Sequence, residues 1–303
     1  MDGDRAAPYL TFLGLDPVDP AEARIRVLPV PYDMTASYQP GARRGPIALL
    51  EASTHVELYD ELLEDEPWQA GIATLPPLVP ATEGPKAMVR RIAREAERWV
   101  DADRFLLTIG GEHSITPPLV AAHRKLWPDL TVVQIDAHAD LRNSFEGSRH
   151  NHACAMRRVL EGGGQLIQVG IRSLTAEEHV LIREDGRIRT FFARDLAGRR
   201  PEAWAVEVAA AVDGACYLTV DLDGLDPSIM PATGTPEPGG LDWRGISELV
   251  AALARRGPLV GADIVELAPI PGLVAPDFLA ARLAQRIIGF AARSRGWLNR
   301  TRP

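Results

Sequence analysis

The sequence predicts an α/β protein in which helices cover both faces of a central, mostly parallel sheet. Short apolar runs alternate along the chain with longer amphipathic segments, which is the pattern of repeated βαβ units. The chain has 46% hydrophobic and 24% charged residues, an ordinary globular composition. No internal repeat, low-complexity tract or Ser/Gly-rich linker divides it, so residues 1–303 are expected to form a single domain.

Seven apolar runs are the predicted strands. They read, in chain order, RIRVLPV (24–30), RFLLTIG (104–110), LTVVQID (130–136), QLIQVGI (165–171), RIRTFFA (187–193), ACYLTVDLD (215–223) and PLVGADIVE (258–266). Near-continuous apolar runs of this kind are typical of parallel strands that are buried on both faces. Segments 85–100 and 276–294 carry apolar residues three and four positions apart, which predicts amphipathic helices.

The charge and the cysteine content limit the classes of function. A formal net charge of -8 and a pI near 5.5 argue against a nucleic-acid partner and mildly favour a cationic substrate. The two cysteines, Cys154 and Cys216, have no metal-site or disulfide spacing, which indicates a reducing cytoplasm. We also expect no membrane association, because the sequence shows neither a signal-peptide pattern nor an apolar run of about 20 residues.

Residues that commonly bind metals follow four of the predicted strands. These are His113 after the first Gly-Gly, the group Asp136, His138 and Asp140, the pair Asp221 and Asp223, and Glu266. Side chains two positions apart in extended backbone point to the same face. In open parallel sheets, ligands bind beyond the carboxyl ends of the strands, so these groups are expected to meet.

The expected cluster holds too much negative charge to be buried alone. Four aspartates and two histidines carry a formal charge of minus four, which two divalent cations would balance. Oxygen-rich ligation with two imidazoles and no thiolate suits Mn²⁺, and Asp136 and Asp221 are the candidate bridges. Such a pair can hold a water and lower its pKa towards neutrality. Each motif also has a purely structural interpretation, as a turn or a helix cap, but the coincidence at successive strand ends favours a dinuclear site.

Three segments resemble the signatures of the ureohydrolase family of arginases and agmatinases. They are GGEHS (110–114), DAHAD (136–140) and TVDLDGLDPSIMPATGTPEPGGL (219–241). The resemblance extends from about Val27 to Phe290, which leaves a short N-terminal lead and a C-terminal tail. It implies an arginase-like three-layer α/β/α fold and a homo-oligomer, either a trimer or a hexamer. The tail SRGWLNRTRP (294–303) is expected to be a frayed end.

The resemblance also implies a role for each metal-binding residue. Two Mn²⁺ ions per subunit are expected. One ion would be bound by His113, Asp136, Asp140 and Asp221, and the other by Asp136, His138, Asp221 and Asp223. Asp136 and Asp221 would therefore bridge the ions, and Asp140 would also accept a hydrogen bond from the attacking hydroxide.

Two further residues match functional positions of the family. Glu266, in DIVELAP, matches the carboxylate that pairs with the guanidinium group of the substrate. His152, in HACAMRRV, matches a histidine that acts near the leaving group as a proton shuttle or hydrogen-bond donor. Its neighbour His150 is expected to be a surface loop residue, and Cys154 a small buried thiol.

The substrate is expected to be a small cationic guanidino compound. Ser173 and Thr175 stand where arginases carry acids, which argues against arginine and favours agmatine, with putrescine and urea as products. Aminopropylagmatine, guanidinobutyrate and guanidine remain alternatives. Arg142 would favour guanidinobutyrate if it faced the pocket, although an ion pair with Glu146 or another acid is the simpler expectation. Glu146 or Glu178 is a candidate for the distal ammonium.

Two other classes of function were weighed. A dinuclear phosphohydrolase would use a similar nucleophile, but no P-loop or GxGxxG motif follows a predicted strand. A non-catalytic relative should have lost a metal ligand, whereas all six are present. A ureohydrolase therefore remains the favoured function.

Overall fold

The computed structural model describes residues 10–298. Eight strands within this range form one sheet, and every neighbouring pair is parallel. The strands are β1 (Ile25–Val30), β2 (Ile72–Thr74), β3 (Phe105–Gly110), β4 (Thr131–Ile135), β5 (Leu166–Ile171), β6 (Ile188–Phe192), β7 (Cys216–Asp221) and β8 (Leu259–Val265). Their order across the sheet is β2-β1-β3-β8-β7-β4-β5-β6.

The seven predicted strands are all present, and one further strand was missed. β2 is only three residues long and lies at the edge of the sheet, where it pairs with β1 alone. Three residues are too few to show a period in the sequence.

Helices cover both faces of the sheet. Those within the described residues are α1 (Gly45–Ser53), α2 (Pro85–Trp99), α3 (Thr116–Arg124), α4 (Ala155–Glu161), α5 (Ala176–Glu184), α6 (Ala193–Leu196), α7 (Pro201–Ala210), α8 (Trp243–Arg256) and α9 (Ala275–Ser294). One apolar core includes buried residues of α1, α7, α8 and α9, and a second includes residues of α2, α3 and α4. The predicted three-layer α/β/α architecture is confirmed, while the single-domain assignment stays a prediction.

The sheet order brings the metal-binding motifs together. β3, β8, β7 and β4 are four adjacent central strands, and they are the four that precede the candidate site residues. Asp221 pairs in register with Val265, and Val220 with Ile135. The residues that follow these strand ends therefore meet at one edge of the sheet.

The C-terminal tail is only partly described. Trp297 packs against the core and Leu298 is buried, so the frayed end predicted from residue 294 is wrong as far as residue 298. Residues 299–303 lie outside the described part of the chain. Between residues 10 and 298, no helix combines the length and apolar character needed to cross a membrane.

Candidate metal centre and active site

Two groups of potential ligands share one aspartate. His113, Asp136 and Asp140 form the first group, and Asp136, His138 and Asp223 form the second; within each group the ligand atoms lie within 4.8 Å of one another. Asp136 is fully buried, and one of its oxygens faces His113 while the other faces His138. A carboxylate in this position can bridge two cations, which is the arrangement expected of Asp136.

Asp221 is not part of either group but contacts a member of each. Its Oδ2 lies 3.4 Å from His113 Nδ1, and its Oδ1 accepts a hydrogen bond of 2.9 Å from the backbone N–H of Asp223. Bridging by Asp221 stays a prediction. The six expected ligands nevertheless all lie at the same end of the sheet.

The surroundings of His113 test whether the site fits a cation. His113 Nε2 lies 2.9 Å from Thr219 Oγ1, and that hydroxyl donates to Asp263 Oδ1 at 2.6 Å. The hydroxyl proton is thus used, so Nε2–H is the donor and Nδ1 is the ring nitrogen left to bind a proton or a metal ion. Nδ1 is buried without a hydrogen-bond partner among the described residues.

Carboxylate oxygens surround this nitrogen. Oxygens of Asp136 and Asp140 lie 3.1 Å from His113 Nδ1, and an oxygen of Asp221 lies 3.4 Å from it. Burial opposes protonation of His113, but the three carboxylates outweigh burial and raise its pKa well above the usual value. A neutral ring would direct its Nδ1 lone pair at three anionic oxygens, an arrangement that is repulsive unless a proton or a metal ion lies at that point. Cations at this point would relieve the repulsion, so the donor set fits a metal ion.

The protein groups alone do not keep all of these carboxylates ionised. Burial, reinforced by the charge of Asp136, raises the pKa of Asp140 to about 7. Burial and the charges of Asp223 and Asp136 raise the pKa of Asp221 well above its usual value. For Asp136 itself, the neighbouring His113 and His138 outweigh burial and lower the pKa. The cluster holds protons that a metal ion would displace.

His138 lies at the outer side of the centre. Its Nδ1 is 3.0 Å from Asp223 Oδ2, and its side chain is 26% exposed. Burial lowers its pKa, but Asp136 and Asp223 outweigh burial and raise the pKa to about 12. His138 is therefore the expected ligand with the most direct access to solvent.

Glu266 is held beside the metal ligands in an unusual backbone conformation. Its φ is +65°, in a region that non-glycine residues seldom adopt and that occurs mainly at functional sites. Its Oε1 accepts a hydrogen bond of 2.8 Å from the backbone N–H of His113. Burial and the nearby Glu112 raise its pKa well above the usual value. A buried carboxylate of this kind favours a cationic partner.

Two neighbouring cavities, which share lining residues, lie beside the cluster. The inner cavity, of about 30 Å³, touches Asp221, Asp223 and Glu266 among others. The outer cavity, of about 280 Å³, is lined by Ser37, His138, Ala139, Asp140, Arg142, Phe145, His152, Ala153, Ser173, Leu174, Thr175, Glu178 and Thr235. His138, Asp140 and His152 border both. His150 borders neither cavity, which matches the expectation that it lies outside the site.

His152 sits on the cavity wall in a largely buried position. Its Nδ1 is 3.3 Å from Thr35 Oγ1, and its Nε2 is 3.3 Å from Ser37 Oγ. Burial lowers its pKa to about 4, so its imidazole is neutral near pH 7. Nearby, Cys154 is buried and burial raises its pKa to about 11, as befits the small inert thiol that was predicted.

Two residues beside the predicted site are not among the residues predicted from the sequence. Glu112 is fully buried and accepts hydrogen bonds from Thr35 N–H, Thr35 Oγ1 and Ser114 Oγ. Burial raises the pKa of Glu112 to about 7, although these three hydrogen bonds act to lower it. Glu112 was visible inside the GGEHS motif, whereas Thr35 lies in a loop after β1 with no repeating pattern.

The second glycine of the same motif allows the loop after β1 to approach. A Cβ added to Gly111 would lie 2.0 Å from the carbonyl oxygen of Tyr32. The backbone N–H groups of Gly111 and Glu112 donate to the carbonyls of Val30 and Tyr32. The Gly-Gly pair therefore serves close backbone packing.

The structure revises the expectations for the outer part of the pocket. The guanidinium of Arg142 lies 4.6 Å from the centre of the Phe145 ring, and Arg142 forms no ion pair with the residues described, so the expected pair with Glu146 is wrong. Glu146 is exposed and borders neither cavity. Glu178 borders the outer cavity and is 5% exposed.

Comparisons with known proteins identify relatives over almost the whole chain. The model of the arginase family matches residues 23–289. An N(1)-aminopropylagmatine ureohydrolase of Synechocystis sp. is 42% identical over 281 residues, which cover 90% of this chain and 91% of the relative. An agmatinase of Pyrococcus horikoshii is 34% identical, and the alignment covers 94% of this chain and 98% of the relative. The crystal structure of an agmatine ureohydrolase of Thermoplasma volcanium superimposes with a TM-score of 0.81 at 30% sequence identity. The superposition covers 91% of this chain and 92% of that structure.

Proposed function

Because this chain belongs to the arginase family and is a ureohydrolase, we propose that its substrate is a guanidino compound with a cationic tail, and that N(1)-aminopropylagmatine is preferred. Agmatine is the second candidate. The agmatine preference expected from the sequence is thus replaced by one of its alternatives, because relatives named for aminopropylagmatine are 42% and 40% identical and the agmatinase of Pyrococcus horikoshii 34%.

The observation that carries the choice of a cationic tail is the state of Glu178. This buried carboxylate borders the outer cavity and has no ion-pair partner among the residues described. It accepts hydrogen bonds from Leu141 N–H, Thr175 N–H and Thr175 Oγ1, which leaves acceptor capacity free. A buried negative charge of this kind favours an ammonium group in the cavity.

The outer cavity also suits a longer, partly apolar tail. Phe145 and Leu174 line it and can pack against methylene groups. Arg142 lines it as well and opposes a cation, but its guanidinium stacks on the Phe145 ring. An aminopropyl extension adds a second ammonium, for which Glu178 on this wall is an acid without an ion-pair partner among the described residues.

The reacting end of the substrate would lie in the inner cavity. Glu266 would pair with the guanidinium group and hold its carbon at the edge of the cluster. Two divalent cations held by His113, Asp136, His138, Asp140, Asp221 and Asp223 would supply hydroxide at neutral pH. Asp140 would accept a hydrogen bond from the nucleophile, and His152 would exchange a proton near the leaving amine.

Manganese remains the proposed metal, because four carboxylates and two imidazoles form an oxygen-rich set. The homo-oligomer and the cytoplasmic location stay predictions. A phosphohydrolase is no longer a competing function, since the chain belongs to the arginase family.

The substitution Glu178→Gln tests the assignment of the tail. Glutamine can replace glutamate at the third position of the capping box that Thr175 and Glu178 form at the start of α5. The charge and the hydrogen bond from Leu141 N–H are then lost, while the cap is retained. We expect kcat/KM for aminopropylagmatine to fall by about 10-fold or more, with little change for guanidine, which has no tail. The matched control is Asp242→Asn, which removes a charge from the N-cap of α8.

An equal fall in kcat/KM for guanidine and aminopropylagmatine would show that Glu178 only supports the fold. A rise in kcat/KM for aminopropylagmatine would show that the charge of Glu178 opposes binding of the tail, contrary to the proposal. Urea release with guanidinobutyrate as the best substrate would assign the tail site to Arg142 instead.

A further inference from the structure

Glu112 and Thr35 form a chain of contacts that ends at His152. Glu112 Oε1 is 2.6 Å from Thr35 Oγ1, and Thr35 Oγ1 is 3.3 Å from His152 Nδ1. The same hydroxyl also accepts the backbone N–H of His152 at 3.2 Å. Thr35 thus binds both the backbone and the ring of His152, and it is itself tied to a fully buried glutamate.

The hydrogen-bond directions in this chain can be worked out. A threonine hydroxyl has one proton and two acceptor sites. The contact of 2.6 Å with a carboxylate oxygen is much shorter than the contact of 3.3 Å with the ring, so the proton is donated to Glu112. The hydroxyl must then accept from the ring, which makes His152 Nδ1–H the donor.

We propose that Glu112 and Thr35 are positioning residues that hold neutral His152 as its Nδ1–H tautomer, with the lone pair of Nε2 directed into the cavity. We call this arrangement the Thr35 relay. It deepens the function proposed above and rests on it for the role of His152. It resembles the way a buried carboxylate fixes the tautomer of a catalytic histidine, with a hydroxyl inserted between the two.

The relay gives His152 a defined role at the leaving group. With Nδ1 protonated, Nε2 first accepts a proton from the attacked substrate or its nucleophile, and the same nitrogen then donates that proton to the leaving amine. The ring returns to its starting tautomer, and no proton is gained or lost by the relay. Ser37, 3.3 Å from Nε2, can donate to the lone pair until the substrate arrives.

Removal of the Thr35 hydroxyl tests the relay. We expect Thr35→Val to lower kcat by about 10- to 100-fold, which is part of the 10²- to 10⁴-fold that a positioned acid-base group contributes, and to change KM by less than about threefold. Thr35→Ser should restore most of the rate. The matched control is Thr108→Val, because Thr108 is buried on β3 and its hydroxyl has no hydrogen-bond partner in the described part of the chain.

A double-mutant cycle separates positioning from a general structural role. In the His152→Asn background, Thr35→Val should change kcat by less than about twofold, because the relay acts only through the ring. If Thr35→Val lowers kcat by the same factor in both backgrounds, the relay is refuted. Metal binding by each variant, measured by calorimetry, should be unchanged, since a loss of cation would explain a lower rate by another route.

A second readout does not depend on turnover. Long-range ¹H–¹⁵N correlation spectra of ¹⁵N-histidine protein loaded with a diamagnetic divalent cation report which ring nitrogen carries the proton. The His152 signals, assigned by their absence in His152→Asn, should show a protonated Nδ1 in the wild type and a mixture of tautomers in Thr35→Val. A protonated Nε2 in the wild type would overturn the relay, even if the substrate assignment is correct. The expected tautomer together with no urea release would instead contradict the proposed function.

Discussion

Replacing Asp136 by asparagine should remove most of the stability that divalent cations give this protein. Asp136 is shared by the two ligand groups, so its loss weakens both sites at once. A cation present at 1,000 times its Kd, and bound only by the folded protein, stabilises that state by about 4 kcal/mol. For 303 residues, an unfolding entropy of about 2.1 cal/mol/K per residue gives about 0.6 kcal/mol/K. The expected rise in Tm is therefore about 6 °C per ion and about 13 °C for two ions.

The assay is differential scanning calorimetry of chelator-stripped protein with and without Mn²⁺. Wild type should gain about 13 °C, and Asp136→Asn less than half of that. Asp129→Asn, an exposed substitution in the loop before β4, serves as the control and should gain as much as wild type. If Asp136→Asn keeps the full rise, Asp136 does not join the two sites, and the shared-ligand interpretation is refuted.

Three further predictions concern the substrate anchor, the protons of the cluster and the tight backbone packing. Glu266→Gln should lower kcat/KM for urea release by about 10- to 150-fold, because one charge-assisted hydrogen bond contributes about 1.5–3 kcal/mol. The metal-induced rise in Tm should stay intact. A fall in kcat/KM of less than about threefold would contradict the role of Glu266. Burial and a neighbouring carboxylate raise the pKa of Asp140 to about 7, so its proton must leave when metal binds below that pH. Because of this proton, the apparent metal affinity should fall about tenfold more per pH unit below pH 7 than above it. Calorimetry in buffers of different ionisation enthalpy should detect about one more proton released at pH 6 than at pH 8, and equal proton release would refute the raised pKa. Gly111→Ala should destabilise the fold by about 1–3 kcal/mol, because the added Cβ would meet the Tyr32 carbonyl. Gly186→Ala should not destabilise it, because the space around Gly186 is open. Equal melting temperatures for the two variants would contradict the close packing at Gly111.

The architecture could be predicted because its signals are local. Each of the seven predicted strands is a short, mostly apolar run, and the motifs stand at the ends of β3, β4, β7 and β8. Their assembly then follows from the sheet, since strands that are far apart in sequence become neighbours in the order β3-β8-β7-β4. β2 was missed because three residues at a sheet edge carry no periodic signal.

The outer part of the site could not be predicted in the same way, because its contacts join residues that are far apart in the chain. Thr35 and His152 are separated by 117 positions, and Thr35 and Glu112 by 77. No spacing rule links residues at such distances. The ion pair predicted for Arg142 is wrong for a related reason. Whether the guanidinium contacts a nearby acid or the Phe145 ring depends on how the loop folds, which the local sequence does not determine.

We propose that this arginase-family chain uses a metal cluster and a cation-selective pocket to release urea. The most direct test is the rate of urea release by wild-type protein, stripped of metal and then loaded with Mn²⁺, with aminopropylagmatine, agmatine and guanidinobutyrate as substrates. We expect urea release only after metal loading, with kcat/KM highest for aminopropylagmatine, lower for agmatine and lowest for guanidinobutyrate. Release that is independent of metal, or a preference for guanidinobutyrate, would contradict it.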